Sequence, residues 1–153
     1  MVVIERASNE DFEHICALDE TVVGHGSRRA VIARAVAESR CAVARADGAV
    51  RGFQIADRSF FGNWFVELLI VHPDYRRRGV ASALMRAAEL DCPAEKLFTS
   101  TNQSNFPMQQ LCARLGFIRS GYVENLDPGD PEIIYVKILA PVPDTPPRDS
   151  DES

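Results

Sequence analysis

The sequence predicts one α/β (α+β) domain whose sheet carries helices on both faces, and three observations lead there. Strand and helix periodicities follow one another in the order β-α-α-β-β-β-α-β-α-β-β. The three consecutive strands are joined by turn signals, Asp47-Gly48 and Gly62-Asn63, and so read as an antiparallel meander. The chain has 153 residues, 46% of them apolar and 25% charged, which is the balance of a single globular domain with a core of its own. The domain is assigned to residues 1–140. The remainder, 141–153, is rich in proline and acid with little apolar patterning, and is expected to be a disordered tail.

The elements follow in order. Val2 to Arg6 reads as a strand. Ser8, with Asp11 three residues on, forms a capping-box pattern before a helix that presents Phe12, Ile15 and Cys16. Gly24 and Gly26 mark a loop, and Ser27 is expected to cap a second helix running to about Glu38 with Val31, Ile32, Ala35 and Val36 inward. Cys41–Arg45, Val50–Asp57 and Trp64–Val71 are the meander strands. A helix from Val80 to about Asp91 carries the stripe Val80, Ala81, Leu84, Met85 and Ala88. Lys96–Ser100 is a strand. Asn105 opens a helix with Met108, Leu111, Cys112 and Leu115 on one face, closed by Gly116. Phe117–Tyr122 and Ile133–Leu139 complete the sheet, joined by an acidic loop.

Composition excludes several classes. The net charge is −5, and no basic face with interleaved aromatics appears, which argues against nucleic acid as a partner. No run approaches the ~20 apolar residues of a membrane span, and the N-terminus lacks the basic flank and apolar run of a signal peptide. The reading is cytoplasmic, with no membrane partner. Cys16, Cys41, Cys92 and Cys112 form no C-x-x-C pair and have no histidine at ligand spacing, so they are expected to be reduced, mostly buried thiols, with no metal site.

The segment Leu68 to Met85 is the most informative. A strand ends, a short turn follows, and a helix begins at Gly79. Free N–H groups of a first helical turn form an anion site, reinforced by the helix dipole. Gly79 lets a phosphate approach the backbone, and Arg76, Arg77 and Arg78 add positive charge. These residues suggest a phosphate or pyrophosphate ligand. Solvated arginines around a turn glycine are the equally weighted alternative. A dinucleotide fingerprint and a Walker lysine motif are both absent.

The same segment resembles the acetyl-CoA motif of the GNAT acetyltransferases, Q/R-x-x-G-x-G/A, here Arg76-Arg77-Arg78-Gly79-Val80-Ala81, preceded by Val71-x-Pro73-x-Tyr75. Asn105, Leu111, Gly116 and Phe117 match a second family motif. The resemblance spans roughly Val2 to Leu139. It implies a central mixed, mostly antiparallel sheet with a splay between the fourth and fifth strands, and acetyl-CoA as acyl donor. By the same resemblance the backbone from Arg76 to Ser82 (Arg76, Arg77, Arg78, Gly79, Val80, Ala81, Ser82) holds the pyrophosphate. Leu69, Ile70 and Val71 pair with the pantetheine arm, and Asn105 contacts it. A homodimer is common among relatives. Met108 stands where the family has a small residue, and Cys112 where it often has the tyrosine that protonates the departing thiolate.

Glu67 is the only charge in Trp64–Val71. A strand so apolar is expected to be covered on both faces. A carboxylate there needs a partner or a raised pKa, and a raised pKa suits a general base that deprotonates an ammonium. A structural salt bridge to Arg51 or Arg58 is the alternative. His72 reads as a turn residue and His25 as a loop residue. Tyr122 and the carboxylates of the 124–132 loop stand between a role in attracting a cationic amine and that of a solvated turn. The sequence thus leads to acetyl transfer from acetyl-CoA to a primary amine by direct attack, since no nucleophilic cysteine–histidine arrangement is present. The rival is a non-catalytic acyl-CoA-binding or regulatory module on the same fold.

Overall fold

The computed structural model describes residues 1–139; the expected tail, 141–153, lies outside the described residues. The strands are β1 (Val3–Arg6), β2 (Cys41–Ala46), β3 (Ala49–Phe60), β4 (Asn63–Val71), β5 (Lys96–Asn102), β6 (Ile118–Val123) and β7 (Glu132–Ile138). The helices are α1 (Phe12–Val23), α2 (Arg29–Ala37), α3 (Val80–Asp91) and α4 (Phe106–Arg114), with short 3-10 turns at Asn9–Asp11 and Pro73–Tyr75. The element order is the one expected. The seven strands form one sheet in the order β1-β2-β3-β4-β5-β7-β6, antiparallel throughout except for the β4–β5 pair.

Local chemistry accounts for most boundaries. The Ser8 backbone N–H donates to Asp11 Oδ2 at 2.9 Å, the reciprocal half of a capping box. Asp47 and Gly48 both take positive φ (52° and 74°), the geometry of a two-residue hairpin turn. At the next hairpin the turn residues are Phe61 and Gly62 (φ 49° and 77°) rather than Gly62-Asn63, so β3 runs on to Phe60. Asn105 Oδ1 accepts from Met108 N–H at 3.2 Å and starts α4.

Two expectations about α2 fail. Ser27 does not cap it, because its hydroxyl is taken by His25 Nδ1 at 2.7 Å, and the helix starts at Arg29. It ends at Ala37 with Glu38 as its C-cap, as expected. Val31 is 40% exposed: the buried stripe of α2 is the narrower Ile32, Ala35 and Val36.

Two layers of helix enclose the sheet. On one face Ile15 and Cys16 of α1 and Ile32, Ala35 and Val36 of α2 pack on Val43, Phe53 and Ile55. On the other, Val80 and Leu84 of α3 pack on Ala44, while Met85 and Ala88 join Leu111 and Cys112 of α4 over Ala56, Val66, Leu97 and Tyr135. Gly52 fixes how closely α3 approaches. A Cβ there would lie 3.0 Å from Ile70 O, 3.0 Å from Val80 Cγ1 and 3.1 Å from Leu84 Cδ1, closer than side chains pack. Gly52 therefore sets the height of α3, and with it the position of the helix N-terminus, above β3 and β4.

Candidate functional site

Three features converge where β4 leaves the sheet. The first is the start of α3. Gly79 is its N-cap, with φ 79° and no side-chain cap hydrogen bond. The first N–H of the helix to find a backbone carbonyl is Ala83, on Gly79 O at 3.0 Å. The N–H groups of the preceding first turn therefore have no helical partner and remain free for an anion. A Cβ built on Gly79 would meet nothing within 4 Å, so the space above the turn is open. Arg77 also has positive φ (62°), which winds the turn tightly. Arg76, Arg77 and Arg78 are exposed. The Arg78 guanidinium lies 4.8 Å from the centre of the Tyr75 ring, and Arg51 reaches the same ring at 4.6 Å. Tyr75 in turn donates its hydroxyl proton to Asp47. Tyr75 and Arg78 are thus held by the β2–β3 hairpin.

The second feature is the splay. β4 and β5 pair only at Phe65↔Phe98 and Val66↔Thr99. Beyond Val66 the strands separate, as expected for the fourth and fifth strands. The exposed edge of β4 then has a definite polarity. His72 N–H donates to Arg51 O on β3 at 2.7 Å. Strand alternation turns Ile70 and Leu68 the same way and leaves the N–H groups of Leu69 and Val71 facing the opening. Of the three cofactor-contact candidates on β4, Leu69 and Val71 therefore present backbone donors to the opening, and the Ile70 backbone faces β3.

The third feature is Glu67. The ladder pairs Ala56 with Val66 and Ile55 with Leu68, so Glu67 is the extra residue of a β-bulge. It sits at the point where pairing with β5 ends. The expectation of a strand covered on both faces does not hold here: Val66 is buried, but Glu67 is exposed, because the splay removes one neighbour. Protein surrounds enough of the carboxyl for desolvation to be the largest cause raising its pKa to about 7. A hydrogen bond with the Asp57 carboxyl and the repulsion of its charge push the same way, and Arg40 and Arg28 oppose them. Glu67 is in no salt bridge among the described residues, so the ion pair with Arg51 or Arg58 is not formed. Asp57 is itself anchored: its Oδ2 accepts from Arg40 Nη1 at 3.0 Å, and its Oδ1 from Ser59 N–H at 3.0 Å.

Asp57 and Arg40 had no motif to announce them. Their signal is register alone: Asp57 lies opposite Phe65, two residues before Glu67. Other candidates fall away from the opening. His72 Nδ1 accepts from Asp74 N–H at 3.1 Å, a turn role as expected, and His25 bonds to Ser27 in its loop. The carboxylates of the 124–132 loop are mostly engaged. Asp127 accepts from Asn102 Nδ2 at 2.9 Å, Asp130 from Ser104 Oγ at 2.6 Å, and Glu132 from Ser100 Oγ at 2.7 Å. Tyr122 lies on β6, the far edge of the sheet, two strands beyond β5. Cys112 is fully buried, and burial pushes its thiol up to about 12. Asn105 is exposed at the head of α4, its carbonyl committed to the cap.

The opened parallel pair thus lies beside an uncapped helix N-terminus, an unpaired strand edge next to an anion site. The acetyltransferase (GNAT) family model matches residues 3–117, and the chain belongs to that family. No curated protein matches it. A GNAT-family acetyltransferase from Bacillus cereus ATCC 10987 is similar at 42% identity, over 92% of this chain and 99% of its own, with a TM-score of 0.88. The ribosomal-protein-S18-alanine N-acetyltransferase of Escherichia coli shares the fold at 19% identity (95% of this chain, 99% of its own, TM-score 0.78). So does Arabidopsis thaliana NAA60, solved with a bisubstrate analogue, at 15% identity (91% and 98%, TM-score 0.75). Among the described residues no helix is long and apolar enough to cross a membrane.

Proposed function

We propose that the chain transfers an acetyl group from acetyl-CoA to a primary amine, with Glu67 as general base. The observation that carries this is positional: β4 loses its β5 partner at Val66, and the next residue is a carboxylate with a pKa near 7. The residues present fit the cofactor. Free N–H groups of the 79–82 turn, open space above Gly79 and the exposed Arg76–Arg78 suit a diphosphate. The open edge at Leu69 and Val71 suits the amides of pantetheine, with Asn105 beside it. The four cysteines in the thiol form suit a cytoplasmic protein.

Acetyl-CoA supplies an activated acyl group and a thiol leaving group; the rest is done by the chain. An amine arrives as an ammonium and must lose a proton before it attacks. Glu67, half-ionised near neutral pH, accepts that proton while Asp57, fixed by Arg40, shares the charge between the two carboxyls. A backbone N–H of Leu69 or Val71, preorganised by the β3 ladder, polarises the thioester carbonyl. The amine attacks directly, because no nucleophilic side chain stands at the bulge.

The test is thiol release. Coenzyme A liberated from acetyl-CoA should be amine-dependent and saturable. A protein that holds coenzyme A tightly but releases no thiol with any amine would be the binding module instead.

A further inference from the structure

Half of the chain's eight phenylalanines, Phe60, Phe61, Phe65 and Phe98, stand together outside all three buried core clusters. Phe60 is the hub: its ring centre is 5.4 Å from Phe65 in a stacked pair, 5.0 Å from Phe98 and 5.0 Å from Phe61. Phe61 is 90% exposed, and the other three are half-buried. Val66 and Leu97 pack in the cluster beneath α3 and α4, so alternation turns their neighbours Phe65 and Phe98 to the opposite face of the sheet. The platform adjoins the acid pair. Phe65 is the ladder partner of Asp57, whose carboxyl meets that of Glu67 two residues further along β4. An aromatic cluster left partly exposed outside the core, beside a carboxylate, marks a surface suited to a ligand.

We infer that this platform is the acceptor subsite, and that the acceptor is a monoamine bearing a flat apolar group a few bonds from its nitrogen. The inference rests on the amine-acetyltransferase reading above and names its substrate class. Ring faces recognise a flat apolar body by stacking and burial. The charge at the site sets the number of amines. Asp57 is paired with Arg40 and Asp19 with Arg28. Within the acid pair that adjoins the rings, Glu67 is the member without a cationic partner among the described residues, so the pair offers a place for one ammonium. The chemistry is shared by a free arylalkylamine and by a peptide that begins with an aromatic residue.

The test measures binding, so that it does not depend on turnover. The wild-type chain saturated with coenzyme A is titrated with 2-phenylethylamine, ethanolamine and spermidine, and with two tetrapeptide amides that begin with Phe or Ser. Saturation-transfer NMR and calorimetry give the affinities. The phenyl-bearing member of at least one pair should bind about tenfold or more tighter than its polar counterpart, and which pair does so identifies the source. Phe60→Leu and Phe98→Leu keep the apolar volume but remove the ring face. They should abolish that preference while leaving ethanolamine binding within about twofold. Phe61→Ala, at the exposed tip, provides a variant that leaves the fold alone and should reduce the preference less. Equal affinity of phenyl and polar ligands, tighter binding of spermidine, or equal weakening of both ligands in the leucine variants would overturn the inference. Selective aryl binding with no thiol release would uphold the subsite while refuting the transferase reading.

Discussion

The two ends of the β4 opening are built from different materials. At the proposed cofactor end the parts are backbone: free N–H groups of the first turn of α3, the positive φ of Gly79 and the unpaired edge of Leu69 and Val71. At the proposed acceptor end they are side chains from four separate segments: Glu67 and Phe65 from β4, Asp57 and Phe60 from β3, Phe98 from β5 and Arg40 from the link before β2. A backbone cradle accepts many ligands with a diphosphate but depends on a few glycines. A side-chain site chooses among acceptors and can change without disturbing the cradle. Substitutions at the acceptor end should therefore alter turnover and selectivity, and those at the cofactor end affinity for coenzyme A.

The largest effect expected is at Glu67. Glu67→Gln keeps the shape and removes the base, and kcat should fall by ~10²-fold or more with coenzyme A affinity unchanged. In the wild type, kcat/KM for the amine should rise as pH passes through about 7, and the glutamine variant should lose that limb. The same group gives a stability signature. Its folded pKa lies above that of the unfolded chain, so the folded state binds more protons between about 4.5 and about 7. The stability it contributes is complete below that window and is lost as pH rises through it. Denaturant midpoints across the window should show this slope in the wild type and not in Glu67→Gln. Unchanged turnover in the variant at every pH would remove Glu67 from the mechanism and erase the contrast between the two ends.

At the other end, Gly52→Ala tests the support of the cradle. Its methyl would press on Ile70 O, Val80 and Leu84, and overpacking of this kind costs about 1–3 kcal/mol. Because Val80 is the first residue of α3, part of the response should be a displaced helix N-terminus and weaker coenzyme A binding, read by calorimetry beside a thermal melt. Gly79 tests the cradle itself. A side chain there meets no atom of the fold, so Gly79→Ala incurs only the strain of a positive φ, about 1–2 kcal/mol. Gly79→Glu adds negative charge where the diphosphate is proposed to sit and should lower coenzyme A affinity about tenfold further. Equal affinity in the alanine and glutamate variants would mean that the turn does not face phosphate.

This contrast also explains what could be read from the sequence. The Arg76–Ala81 motif survives in one dimension because backbone cradles need particular residues at fixed spacing, and the strand and helix order followed from periodicity. The capping box at Ser8 and the hairpin at Asp47-Gly48 were legible for the same local reason. Glu67 was legible as the lone charge in an apolar run, but its exposure was not, since that depends on where β5 departs. Asp57, Arg40 and the phenylalanine platform are products of register. Nothing local distinguishes Phe60 from a core residue such as Phe53, and only the sheet shows that one is half-buried outside the core and the other fully covered. Ser27 misled because a competing partner, His25, lies two residues away.

The smallest effect is expected at Cys112, which lies between the two ends and belongs to neither. It is fully buried, in a cluster with Leu111, Leu115, Phe117 and Met85. Burial holds its thiol near 12, whereas an ordinary thiol titrates near ~8.5. Proton transfer from Cys112 to a departing coenzyme A thiolate would therefore run about three powers of ten uphill. A departing thiolate is the weaker base of the two and leaves without needing a proton from this side chain. Cys112 then acts as a small hydrophobe of the α4 face, and Cys112→Ala should cost about 1 kcal/mol of stability through lost packing. Its kcat should stay within about twofold of the wild type. Steady-state kinetics with one established acceptor, alongside a denaturation curve, checks both parts. A folded Cys112→Ala protein whose kcat fell as far as that of Glu67→Gln would place the leaving-group proton on this thiol, and catalysis would then depend on the buried face of α4 as well as on β4.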